Sequence, residues 1–496
     1  MALTDDRASD AADTAELGTT AARAVLWNYA SFAAGKVLVL VTMAVLARLL
    51  TPEDFGIVGY ATLVVAYLAV LKDLGLGAAL IQRRDEVEGS AETVYVANLI
   101  LGAFLTTVVA LSAPLVAGFF REPLVTPLLR VLSFTFILEA LGSVQLVLLR
   151  RNMDFRRKMI PDVGRSIVKG VVSIVAAATG FGVWALVWGQ LAGVLASVIL
   201  SWTVLPWRPR LRIHRHLLPS LMRFGAPLII TDIQYAIWAN LDYVVVGRLL
   251  GDAALGVYTL AYRLPELLIQ SVWRVLAQAV FPFFSSIQED MALLRKGFLA
   301  TIRYTQVVIV PLCFGLFIAA DPAVGALFGD QWSAAVPVLR LMAVFSLVGS
   351  IGVNAGDVYK ALGRSDVLAK LSVLELIALV PALIFGAHHG IVGVAWAHAI
   401  VAALDTSVRL LVATRMVGTT AGEIWRQMRP SLAAGGWLAA TAVPALWLTR
   451  GMPDPVRLLA AAWAGGLAYL IAMWRYDPVV IKRMAGWLGL RRKVAA

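Results

Sequence analysis

A single cysteine, Cys313, stands among 496 residues, so neither a disulfide framework nor a cysteine-built metal cluster is available. Charge is scarce as well: Asp, Glu, Lys and Arg make up 15% of the chain, against 60% hydrophobic residues. That ratio leaves too little polar surface to enclose the apolar side chains in water, which excludes a soluble globule. Acids are the scarcer sign, 31 against 43 basic residues, for a net charge of +12. The basic residues lie in short connections and not on one folded domain. The excess therefore reads as a topology signal, with no nucleic-acid partner expected. The start of the chain lacks the basic character of a signal peptide: Asp5, Asp6, Asp10, Asp13 and Glu16 mark it as a disordered cytoplasmic leader.

What is abundant is apolar sequence in runs of membrane-spanning length. About 20 helical residues cross a hydrocarbon core of about 30 Å, and such runs recur from Ala24 to Trp474. They predict an all-α polytopic membrane protein with about 14 transmembrane helices. Every second connection is basic, from Lys72, Arg83 and Arg84, through Arg150, Arg151, Arg156, Arg157 and Lys158, to the tail with Lys482, Arg483, Arg491, Arg492 and Lys493. The positive-inside rule puts these connections and both termini in the cytoplasm.

One stretch occurs twice. Arg48-Leu-Leu-Thr-Pro-Glu-Asp-Phe-Gly56 returns as Arg248-Leu-Leu-Gly-Asp-Ala-Ala-Leu-Gly256 with the same spacing from arginine to glycine. Thr51 is suited to cap a helix, Pro52 to its first position, and Glu53 and Asp54 to its positive end, so the motif reads as an external hairpin corner. With six spans between the copies, both corners enter the membrane in the same direction. This predicts two parallel six-helix halves around a central cavity, plus two C-terminal helices. The expected boundaries are a leader at 1–24, an N-lobe at 25–206, a basic cytoplasmic linker at 207–216, a C-lobe at 217–413, a linker with the last two spans at 414–474, and a basic amphipathic tail at 475–496.

Ionisable residues inside spans are costly and normally face a protein interior or a wet path. Lys36 lies near the centre of the first span, with no acid between Leu17 and Pro52 to pair with it locally. In the eighth span Arg263, Glu266, Gln270, Arg274 and Gln278 fall on one stripe of a continuous α-helix, beside Pro265. Lys36 and Arg263 are readable either as structural ion pairs, for example with Glu139 and Glu266, or as contacts for an anionic substrate. Asp162, Arg165 and Lys169 share a face near the cytoplasmic boundary and read as snorkelling or headgroup contacts. Arg130 and Glu139 in the first half, and Asp232, Asp242, Asp357, Glu375 and Asp405 in the second, complete the intramembrane charges. The first cavity wall is thus expected to be cationic and the second mixed. The His214–His216 and His388–His389 pairs lack helical metal-ligand spacing and are expected to be solvated.

Several motifs, taken in order, resemble one family: Ala47 to Gly56, Asp73-Leu-Gly-Leu-Gly77 with Ala79-Leu-Ile-Gln82, Arg150-Arg-Asn-Met-Asp-Phe-Arg156, and Gly180-Phe-Gly-Val-Trp-Ala-Leu-Val187. They resemble the Wzx-type polysaccharide transporters, near the colanic-acid-exporter-like branch of the multidrug/oligosaccharidyl-lipid/polysaccharide exporter superfamily. Tyr262-Arg-Leu-Pro-Glu266 is similar to the eighth helix of lipid II flippases in that superfamily. The resemblance implies a flippase for an undecaprenyl-pyrophosphate-linked oligosaccharide in the bacterial cytoplasmic membrane, working by alternating access, without a cofactor or resident metal and not as an enzyme. Lys36, Arg263, Arg274, Gln270 and Glu266 are then the candidate pyrophosphate and cavity residues. Asp232, Asp242 and Glu375 are candidates for a coupling proton or sodium ion. Membrane lipids and a polysaccharide polymerase or export machinery are the implied partners. A lipid II flippase is the nearest alternative. A cation-coupled multidrug antiporter is expected to carry an acid in the first span, where this chain has Lys36.

Overall fold

The structure, a computed structural model, describes the backbone of residues 34–487 and their side chains except at positions 228, 274–279 and 484–487. The leader at 1–24 and the tail residues Arg491, Arg492 and Lys493 lie outside the described residues. No strand occurs among the described residues, as expected where lipid offers the backbone no hydrogen-bond partner and each segment must satisfy its own N–H and C=O groups. Nine helices among them are long and apolar enough to cross a membrane, which makes this a multi-pass membrane protein.

The chain divides into two compact units, Met1–Gly256 and Val257–Ala496. The first contains α1 (34–49), α2 (Pro52–Ala69), α3 (Leu76–Gln82), α4 (Val87–Phe120), α5 (Val125–Arg151), α6 (Phe155–Ala178), α7 (Trp184–Val204) and α8 (Leu218–Leu250). Within it α6 packs along α7 and α4 along α5, while α2 and α7 both lie against α5. Leu80, Val94, Val144 and Leu221 join α3, α4, α5 and the start of α8 in one apolar cluster. The helix α9 (Asp252–Pro265) begins at the boundary between the units.

The second unit continues with a π-helical turn (Glu266–Gln270), α10 (Ser271–Ser286), α11 (Met291–Ile318), α12 (Ala320–Leu327), α13 (Ala335–Gly352), α14 (Ala355–Ala361), α15 (Ser365–Ala387), α16 (Gly390–Val417), α17 (Ala421–Leu448), α18 (Asp454–Tyr476) and α19 (Pro478–Trp487). The two last long helices, α17 and α18, pack on α11 through Val310, Leu438, Tyr469 and Met473. Tyr469 donates to the Val307 carbonyl at 2.8 Å. In α19 Val480 is buried while Lys482 and Arg483 are exposed. Asp477, which precedes it, is 1% exposed and accepts from Arg303 at 2.6 Å, so the tail helix starts from a buried ion pair.

The π turn corrects the stripe expected of the eighth span. Pro265 has no N–H to donate, and the five residues after it adopt the wider π repeat. One extra residue in a turn rotates everything after it by about 100°, so the faces of α9 and α10 are offset and do not form one straight polar stripe.

The long helices outside the nine clearly apolar ones include α6, α8 and the α9–α10 rod. These carry Asp162, Arg165 and Lys169, then Asp232 and Asp242, then Arg263, Glu266 and Gln270. Further charged residues stand on the apolar helices, Glu139 on α5, Glu375 on α15, and Asp405 and Arg409 on α16.

Candidate functional site

Thr51 caps α2 as expected: the Asp54 N–H donates to Thr51 Oγ1 at 3.3 Å and the Thr51 N–H donates to Asp54 Oδ2 at 3.1 Å, with Pro52 in the first turn. At the second corner Gly251 has φ +91°, a backbone state suited to glycine, and the Ala253 N–H donates to Asp252 Oδ1 at 2.8 Å. The two corners pack against each other inside the first unit. A Cβ added at Gly56 would overlap the Asp252 carbonyl, and one at Gly256 would overlap the Pro52 carbonyl. Pro52 and Asp252 hold equivalent places in the two copies, so the contact is reciprocal. The repeated glycine therefore serves this backbone crossing. Nearby, the Tyr60 hydroxyl donates to the Gly247 carbonyl at 3.0 Å. A second crossing explains Asp73-Leu-Gly-Leu-Gly77: Gly75, at φ +71°, would bring a Cβ within 2.7 Å of Gly225 Cα on α8.

The first unit holds a cavity of about 250 Å³ lined by Lys72, Asp73, Glu139, Arg150, Asp162 and Arg165, with apolar side chains of α5 and α7. Its centre is Glu139. Lys72 Nζ donates to one carboxylate oxygen at 3.0 Å and Arg165 donates to the other at 2.8 Å. Asp162 is taken by Lys158, one turn away on α6, and Asp73 accepts from the Gly75 N–H at 3.0 Å. Counting Lys158, four cations surround three carboxylates. No hydrogen-bond acceptor among the described residues engages the Arg150 guanidinium, which is exposed at the end of α5. Lys169 donates to Gln190 at 2.7 Å. The cationic face of α6 is thus built into a network across α5 and α7. It is not a row of snorkelling side chains, because Glu139 projects from α5 to meet it.

Lys36 is half-buried on α1. Glu139, the partner considered for it, spends one oxygen on Lys72 and the other on Arg165. Arg263 donates to Glu266 at 2.8 Å, and Gln270 donates to the Tyr262 hydroxyl at 3.4 Å. The side chain of Arg274 lies outside the described residues. Asp232 is exposed on α8 and Asp242 is 2% exposed on the same helix. Ten residues at 1.5 Å each separate them by about 15 Å, so one ion cannot take both. Glu375, on α15, accepts from Arg409 at 3.0 Å, and Arg409 also donates to Asp405 at 2.6 Å. His214 and His216, expected to be solvated, lie 3.1 Å from Glu92 and 3.4 Å from Glu86. Lys72, Arg150 and Arg409 are absent from the candidates read in the sequence. For Arg409 the signal was local, an arginine four residues after Asp405.

The fold and motifs have counterparts among known proteins. The teichuronic acid biosynthesis protein TuaB of Bacillus subtilis (strain 168) is 26% identical over 460 residues, covering 91% of this chain and 95% of TuaB. The succinoglycan biosynthesis transport protein ExoT of Rhizobium meliloti (strain 1021) is 29% identical over 371 residues, covering 75% of each. Among solved structures, the lipid II flippase MurJ in an inward closed conformation aligns over 92% of this chain and 100% of its own, with a TM-score of 0.73 at 16% identity, a likeness of fold. A family model described as polysaccharide biosynthesis protein matches residues 45–337, more than half of the sequence, and the chain belongs to that family.

Proposed function

We propose that this chain is a flippase that moves an undecaprenyl-pyrophosphate-linked oligosaccharide from the inner to the outer leaflet of the bacterial cytoplasmic membrane, for exopolysaccharide, O-antigen or capsule biosynthesis. Family membership and the relatives named for teichuronic acid and succinoglycan biosynthesis support the substrate class. The observation that carries the reading is the Lys72–Glu139–Arg165 cavity with Arg150 at its edge. A diphosphate is a strong acceptor for guanidinium and ammonium groups. It competes with Glu139 for two cations that the carboxylate already holds in place, while the lipid tail stays in the bilayer. In this reading the topology has about 14 spans with both termini cytoplasmic and two parallel lobes, at 25–206 and 217–413. The reciprocal corner contact supports the parallel arrangement, since residues at equivalent repeat positions meet.

Lys36 and Arg263 are proposed as further headgroup contacts. Glu375 is proposed as the coupling-cation residue, in a cluster where two carboxylates share one arginine. The test is transport with charge removed. Arg150→Gln combined with Arg165→Gln should lower flipping about tenfold or more, the loss of at least one charge-assisted contact. Lipid-linked oligosaccharide should then accumulate in the inner leaflet at normal protein levels. Full transport by the double variant overturns the headgroup assignment. A lipid II flippase is the second reading, favoured by the MurJ-like fold. Separate complementation of a polysaccharide-export defect and a lipid II-export defect decides between them.

A further inference from the structure

The second unit carries a site unrelated to the headgroup cavity. Where α11 ends and α13 begins, the ends of α12, α17 and α18 enclose a groove of about 560 Å³, a size that suits a small ligand or the upper part of a lipid. In the orientation proposed above it opens at the external boundary. Part of its lining is apolar and exposed: Phe317, Val443 and Trp447 are 44%, 53% and 62% exposed. The same lining holds three arginines. Arg457 is spent on structure, donating to Asp454 at 2.6 Å and to Asp321 at 3.5 Å, which ties α18 to α12. Arg340 and Arg450 are not. The Arg340 Nε donates to the Phe317 carbonyl at 3.3 Å, which leaves its two terminal nitrogens without a protein acceptor among the described residues. The guanidinium of Arg450 has no protein acceptor among them either. Three cations thus face two carboxylates, for a local charge of +1.

A guanidinium at the edge of the hydrocarbon needs an anion or water, and a phosphate oxygen pair matches its fork. We infer that this groove binds one anionic phospholipid of the outer leaflet, its phosphodiester on Arg340 and Arg450 and an acyl chain along Phe317, Val443 and Trp447. The single excess positive charge fits a singly charged phosphodiester with a neutral remainder. A zwitterionic headgroup offers the same phosphodiester but adds an ammonium that the nearby arginines repel, so it binds less well. The exposed apolar wall fits an acyl chain better than a free phosphate.

Native mass spectrometry of the purified full chain, delipidated and then offered dioleoyl phosphatidylglycerol or dioleoyl phosphatidylcholine, tests this. The expected result is one tightly held phosphatidylglycerol, preferred about tenfold over phosphatidylcholine, as losing one charge-assisted pair implies. The preference should vanish in Arg340→Gln/Arg450→Gln and survive in part in Arg340→Lys/Arg450→Lys, which keeps the charges and loses the fork. Trp447→Ala should weaken retention of both lipids without changing the preference. Absence of any preference in the wild type overturns the inference, as does its persistence in the double Gln variant. Binding of inorganic phosphate with the same Arg dependence and no need for an acyl chain also overturns it. So does one-for-one displacement of phosphatidylglycerol by undecaprenyl pyrophosphate at this groove, which would assign it to transported lipid. The readout is binding, so it stands apart from whether the chain transports an oligosaccharide.

Discussion

Two ion clusters, one in each unit, use the same chemistry with opposite stoichiometry. In the first unit one carboxylate, Glu139, is shared by two cations, Lys72 at 3.0 Å and Arg165 at 2.8 Å. In the second unit one cation, Arg409, is shared by two carboxylates, Asp405 at 2.6 Å and Glu375 at 3.0 Å. The first triad is positive by one charge, opens into a cavity, and leaves Lys72 47% exposed. The second sums to one negative charge over its three named residues, of which Glu375 has a further interaction, and is closed, with all three side chains between 13% and 16% exposed. An open triad with a surplus cation can accept an anion by exchanging partners. A closed triad with a surplus carboxylate can accept a small cation or a proton, and little else. In the reading proposed above, the open triad is the place for the anionic headgroup and the closed triad the place for a coupling ion.

The closed triad should be the more sensitive to loss of its centre. Arg409→Ala removes the cation that Asp405 and Glu375 share, and breaking a buried pair in this way costs about 3–5 kcal/mol. The expected outcome is a steep fall in folded protein, measured by thermal unfolding in detergent and by yield. If Arg409→Ala is folded and as stable as the parent, the triad is not buried in the working protein and the contrast fails.

The open triad should respond to the equivalent change in function and not in stability. Glu139→Gln leaves Lys72 and Arg165 without their shared acid, but both cations reach solvent, so the cost is about 1 kcal/mol or less. With the competitor gone, the cavity should bind undecaprenyl pyrophosphate more tightly and release it more slowly. Binding measured on the purified protein should rise while transport falls. A parallel fall in both would mean that Glu139 only holds the cations in position.

Local signals in the sequence carried well. Thr51, Pro52 and Asp54 lie within one helical turn, and their capping needs no knowledge of the rest of the fold. What lay between distant residues did not carry. The glycines at 56 and 256 were visible as a repeat, but their function is a crossing of two backbones, which no single copy encodes. Glu139 meets Lys72 from 67 residues away, so the sequence offered it Lys36 as a partner with equal justification. The wider turn after Pro265 broke a stripe computed at a constant 100° per residue, since a one-residue change in repeat displaces every later position. The acids were recognised by rarity alone, and rarity found Glu375 and Asp405 but passed over the arginine between them.

The smallest expected effect is also the most discriminating. Glu375→Gln removes one of the two carboxylate charges beside Arg409 while preserving the shape of the triad and a hydrogen-bond acceptor for Arg409. The remaining Arg409–Asp405 pair, 2.6 Å apart and one helical turn along α16, is then neutral as a unit. Stability should change by less than about 1 kcal/mol, because Arg409 keeps Asp405 as its charged partner. If the surplus carboxylate is where a coupling proton or sodium ion sits, transport by Glu375→Gln should lose its dependence on the ion gradient while downhill movement of the lipid continues. Asp405→Asn is the matching control, since it leaves Glu375 with Arg409 and also makes the triad neutral. Loss of coupling in both variants would assign the ion to the net charge of the cluster, and loss in Glu375→Gln alone would assign it to that carboxylate. Unaltered gradient dependence in both would make the closed triad a structural tie between α15 and α16, leaving the comparison one of architecture.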